Sequence, residues 1–97
     1  MTTYLDDVAD AIRANLPTGT EVPEDSDSLF VLYAVLLRVK GAEVSEEDVH
    51  DAWVAWMLSR GDTHKAMVPF SELDQGVRAE DAPFAEAIRR AARLLRS

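Results

Sequence analysis

The chain has 97 residues, 47% of them hydrophobic, which is enough for one domain with one modest core and leaves no length for a second. Its 18 Asp and Glu against 10 Lys and Arg give a net charge of −8, which excludes a basic nucleic-acid face and attraction to anionic membrane surfaces. Cysteine is absent, so disulfides, thiolate metal sites and cysteine nucleophiles are excluded together.

The first predicted helix runs from about Tyr4 to Asn15. Thr3 is its N-cap, and Asp6 stands where a capping box needs an acceptor. Leu5, Val8, Ile12 and Leu16 form one apolar stripe, and Pro17 and Gly19 end the element. A polar connection follows, over residues 17–28. Its alternating acids, Glu24 to Ser28, imitate part of a calcium loop, but the glycine and distal glutamate of that loop are missing at the required spacing. The stretch therefore reads as a loop that ends in a helix cap.

The second helix spans about Leu29 to Val39 and is apolar nearly all round. Its residues rise only about 16 Å, too little to cross a bilayer, so it is expected to be the central buried helix. Its β-branched residues keep a strand open as the alternative. Gly41 is the expected stop. Ser45 and Asp48 make a second capping box, opening a third helix that Gly61 closes after Ser59 or Arg60. Val49, Ala52, Trp53, Trp56, Met57 and Arg60 share a face of it, with His50 beside Trp53.

Residues 61–81 are the least regular part. Met67, Val68, Phe70 and Leu73 predict an ordered loop packed on the core, with one helical turn over Ser71–Gln75. The last helix is expected to follow Asp81 as N-cap, with Pro83 in its first turn. Its buried stripe is Phe84, Ala87, Ile88, Ala91 and Leu95. The expected fold is all-α: a small four-helix single domain with an ordered loop between the third and fourth helices.

Charge is unevenly spread. Residues 1–51 hold 12 acids and 3 bases, whereas residues 52–97 hold 6 acids and 7 bases. The simplest reading is that these charges solvate exposed faces. An acidic N-terminal half also suits a basic partner, or the other half of a second copy.

The two histidines, His50 and His64, match no helical metal pair, and no glycine-rich phosphate loop or local nucleophile signature occurs. No metal, cofactor or catalysis is expected. The sharper signal is the pair Trp53 and Trp56 on one helix face. Both read equally as core anchors where helices cross. As a binding site, they line a cleft with His50, Arg60, His64, Lys65 and Phe70: an indole suits stacking on a flat ring, and the cations suit a phosphate or carboxylate. Phe70 alone reads as a core plug.

Two segments resemble the ryanodine-receptor repeat domain. His64-Lys65-Ala66-Met67-Val68-Pro69-Phe70-Ser71-Glu72-Leu73 is similar to its His-Pro-x-Leu-Val-Pro-Tyr-Asp-Glu-Leu signature. Val49-His50-Asp51-Ala52-Trp53 is similar to its Ile-His-Glu-x-Trp helix. The resemblance covers residues 46–96, with residues 1–41 as an N-terminal helical pair that has no counterpart in it. Lys65 departs from the motif proline, and the loop before His64 is much shorter. The whole chain, with 14 alanines and 8 arginines against 2 lysines, resembles short proteins of high-GC bacteria and their phages. The resemblance implies a ligand-responsive regulatory module rather than an enzyme. It also implies a nucleotide-derived ligand, site roles for His50, Trp53, His64 and Phe70, and a homodimer restoring the paired repeats.

The resulting expectation is a non-catalytic module binding a small nucleotide-like ligand through His50, Trp53, Trp56, Arg60, His64, Lys65 and Phe70. The alternative is a protein-interaction adaptor that uses the acidic N-terminal half. No nucleic-acid or membrane partner is expected. Residues 1–10 are acidic and have no apolar run, so no signal peptide is expected and the expected location is the cytoplasm.

Overall fold

In the computed structural model, which describes residues 2–96, four long helices surround one core. They are α1 (Tyr4–Ala14), α2 (Asp27–Lys40), α3 (Glu46–Ser59) and, after a single-turn helix α4 (Gln75–Arg78), α5 (Ala82–Arg96). No strand occurs among the described residues. The all-α expectation holds, and three of the long helices start or stop on a local signal. Thr3 and Ser45 each form a full capping box, with Asp6 and Asp48. Burial pushes the Asp48 carboxyl up, but the Ser45 N–H and the Lys40 ammonium outweigh it and hold it below its ordinary value. Gly41 and Gly61 end α2 and α3 with φ of +58° and +74°, a conformation that disfavours any side chain.

The helices pack as neighbours in sequence. Arg13 pairs with Asp27 at one end of α1, and Arg38 lies over Tyr4 at the other, so α1 and α2 run antiparallel. Lys40 reaches Asp48, and the Trp56 indole donates to Ser28 Oγ at 2.9 Å, so α3 returns along α2. Helix α5 returns along α3: Arg89 donates to the Val44 carbonyl at 2.8 Å near the start of α3. Ile12, Phe30, Ala34, Val49, Ala85 and Ile88 are fully buried between them. Phe30, Tyr33 and Phe84 form an aromatic triangle with centroids 5.2–6.3 Å apart.

Five expectations are corrected. Helix α2 begins two residues early, at Asp27, and it is not buried all round. Val35 and Val39 are 40% and 75% exposed, because neighbours cover only one side of it. The expected turn over Ser71–Gln75 is instead a 3-10 turn at Phe70–Glu72 followed by α4. Asp81 does not cap α5: it ends a 3-10 turn, Ala79–Asp81, that runs straight into the helix and makes no capping hydrogen bond. Leu95 is 55% exposed, because the end of α5 overhangs the core; Ala92 takes its place in the stripe.

This packing predicts a sharp contrast along α5. Ile88→Ala is expected to cost about 3 kcal/mol and Leu95→Ala less than about 0.5 kcal/mol. Urea denaturation of both variants checks it; equal costs would contradict the described end of the core.

Candidate functional site

The long connection from Gly61 to Asp81 folds back over α3 and α5. Its anchor is His50. This ring is 2% exposed, and its Nε2 lies 2.7 Å from the Val68 carbonyl oxygen. A carbonyl only accepts, so Nε2 carries the proton and donates it. Nδ1 then faces Asp81 Oδ2 at 3.9 Å. Trp53 stacks on the same imidazole, 5.8 Å between centroids, and the His64 ring meets Trp53 edge-on at 5.5 Å. His64 is itself held: its Nδ1 accepts from the Ala66 N–H at 3.0 Å. Leu73 is buried against the fold as a second anchor.

Between this loop, α2, α3 and α5 lies a cavity of about 630 Å³. That is the size of a small-molecule pocket. Leu29, Trp53, Val68, Leu73, Val77 and Phe84 provide apolar wall. The polar groups are mostly acidic: Glu21, Glu72, Asp74, Glu80 and Asp81 stand against Lys65 and the two histidines.

Two polar side chains lining the cavity make no hydrogen bond to a described residue. Tyr33 is 2% exposed as a residue, but its hydroxyl is not sealed off: among the described residues the buried side-chain polar atom without a partner is Arg78 Nε. Burial, with the Asp81 charge adding, pushes the phenol above its ordinary range, so it remains a neutral O–H. The half-buried Asp81 carboxylate likewise makes no hydrogen bond to a described residue; its ion-pair neighbour is His50 Nδ1 at 3.9 Å. Burial pushes Asp81 up; His50 lowers it, and Glu80 and Glu46 raise it further, for a result of about 6.

The expected site residues divide. His50, Trp53, His64 and Lys65 do line the cavity. Trp56 does not: it is 2% exposed, hydrogen-bonded to Ser28, and serves as a core anchor between α2 and α3. Arg60 does not either. It lies over the outer edge of that core anchor, 4.4 Å above the Trp56 ring, and pairs with Asp62 at 3.2 Å. The cause is helical geometry: residue 56 projects towards α2, whereas residue 53 faces the loop. Phe70 packs against His50 at 6.1 Å but turns away from the cavity, lining a shallower groove beside Arg78. Tyr33 and Asp81 escaped sequence reasoning as site residues. The signal for Tyr33 was a single phenol inside an apolar run; for Asp81 it was an acid cluster in an apolar-anchored loop. Among the described residues, no group of three or more His, Asp and Glu is placed to hold a metal.

A carboxyl raised by folding binds a proton more tightly in the native state than in the unfolded chain. Its contribution is therefore favourable below the ordinary value near 3.8 and is lost as pH rises towards about 6. Asp81→Asn is expected to match wild type near pH 4 and to exceed it at pH 7.5, by on the order of 1–2 kcal/mol. Thermal and urea melts at both pH values check this. A variant less stable than wild type at pH 7.5 would contradict it.

A family model matches residues 3–93 of the chain. No curated protein and no solved structure matches it. No ryanodine-receptor repeat model matches, and this corrects the resemblance drawn from the two segments. The matched family spans both N-terminal helices, which supply Val8, Ile12, Phe30 and Tyr33 to the single core, so residues 46–96 are not a separate repeat. The two segments have a local explanation: a helix histidine beside a tryptophan, and a loop that is fastened by its Val68 carbonyl on that histidine and by its buried Leu73. The site roles, regulatory function and pairing implied by that resemblance lose their basis. By this match, the chain belongs to the family described as Domain of unknown function (DUF7701).

Proposed function

We propose that the protein is a non-catalytic module that binds a small molecule bearing an apolar or aromatic body. One observation carries the reading: a cavity of about 630 Å³ with an apolar wall is lined by Tyr33, whose hydroxyl makes no hydrogen bond to a described residue, and by the half-buried Asp81 carboxyl, which has only the 3.9 Å approach of His50 Nδ1. Polar groups that line a cavity without protein hydrogen-bond partners are open to whatever enters it. A ligand with matching polar groups would supply those partners.

The state of His50 supports binding over catalysis. One ring nitrogen is committed to the Val68 carbonyl and the other faces Asp81, so neither is presented to a substrate. His64 spends Nδ1 on the Ala66 N–H. A phosphate, as in the nucleotide-like ligand expected from sequence, finds only Lys65 and the histidines opposite five carboxylates. The geometry therefore favours the ring-binding half of that expectation over its phosphate half.

The test is a fragment screen read by two-dimensional NMR. Binders are expected to shift the Trp53 indole N–H and the backbone of residues 64–68. The Trp56 indole N–H, held by Ser28, is expected to stay in place. Shifts confined to Trp56, or binders that act equally on a Trp53→Ala variant, would defeat the reading.

A further inference from the structure

The charge and hydrogen-bonding state of the cavity define its ligand more narrowly. Resting on the pocket reading above, we propose that the cavity takes a small organic monocation: an amine on an apolar or aromatic body, with its ammonium facing Asp81 and the Tyr33 hydroxyl.

Three features converge on this. First, the five lining carboxylates stand against a single lysine, so the potential inside attracts cations. Second, the groups without partners are the ones that an ammonium satisfies. It offers several N–H donors to a carboxylate and to the lone pairs of a phenol. An anion or a neutral hydrocarbon would leave Asp81 without a donor. Third, the walls beside these groups are aromatic and aliphatic: Trp53, Phe84, Leu29 and Leu73. They suit the body of the amine, and an indole face attracts cations in its own right. The imidazole of His50 cannot fill the ammonium's role: its protonated nitrogen is spent on Val68, and the other lies 3.9 Å from the Asp81 oxygen.

The proposal has a pH signature. Asp81 is faced by His50 and Glu46 of α3, by Tyr33 of α2 and by Glu80 of its own turn. Its carboxyl titrates at about 6, and an alkylammonium stays charged well above that. Only the ionised carboxylate holds the ammonium, so affinity rises with pH. The ionised fraction at pH 5 sets a loss of about tenfold relative to pH 7.5.

The experiment is isothermal titration of the full chain with phenethylamine and tryptamine. Their carboxylate counterparts, 3-phenylpropionate and indole-3-propionate, and AMP serve as comparison ligands. The expected result is that the amines bind and the anions do not, with about tenfold tighter amine binding at pH 7.5 than at pH 5. Asp81→Asn is expected to weaken amine binding at least tenfold at pH 7.5 and to abolish its pH dependence. Tyr33→Phe, which keeps the aromatic packing, is expected to weaken it several-fold; circular dichroism confirms that both variants fold. Anions binding where amines do not would overturn the cation assignment and leave the pocket reading intact. No binding by any of the five compounds, with no binder from the fragment screen, would overturn both. Amine binding unchanged in Asp81→Asn would overturn the assignment of the anchor.

Discussion

A single hydrogen bond, from His50 Nε2 to the Val68 carbonyl oxygen, decides the shape of the functional half of this molecule. It joins a buried position on α3 to the middle of a connection of about twenty residues. A connection of that length, with only single helical turns in its second half, loses much conformational entropy when ordered, so it needs fastening points. Val68 on His50 is the first, and buried Leu73 is the second. With the loop held there, its inner surface cannot collapse onto α2 and α5, and the space left between them is the cavity. The same bond fixes the tautomer of His50 and so leaves Nδ1 towards Asp81.

The cavity is built against the stability of the fold. Asp81 sits half-buried among other acids, with its carboxyl pushed up by that burial, which is less favourable than its solvated alternative. The Tyr33 hydroxyl opens on the same cavity without a protein hydrogen-bond partner. Such groups persist where a site uses them, which is why perturbed carboxyls gather at binding and active sites. One turn further along α3, Trp56 shows the contrast. It has its indole N–H satisfied by Ser28 and its outer face covered by Arg60, and nothing is left over for a ligand.

The four long helices were legible because their signals lie within a turn or two of the chain. Thr3 with Asp6, Ser45 with Asp48, and the glycines at 41 and 61 act through contacts between near neighbours. The site was half legible. Position 53 and the loop residues 64 and 65 were identifiable as aromatic and cationic groups near one another in sequence. Trp56 and Arg60 were grouped with them because a shared helix face is a one-dimensional criterion; which neighbour covers each part of that face is not. The match to short receptor-repeat segments failed for a related reason. A histidine–tryptophan helix and a proline-bearing loop describe how one loop is fastened, and that solution does not require the remaining fold to be shared.

The sequence by itself therefore determined the helical class, the capped starts of α1 and α3, the glycine stops of α2 and α3, the absence of thiol chemistry and the overall negative charge. Those properties depend on composition or on residues a few positions apart. Only the tertiary structure decided that α2's Tyr33, α3's His50 and the loop's Asp81 meet in one cavity, and that five carboxylates face it. Electrostatic and hydrogen-bonding energies depend on separation in space, and these three residues lie 17 and 31 positions apart in the chain. No local pattern encodes that convergence; it exists only once the loop is pinned to the helix.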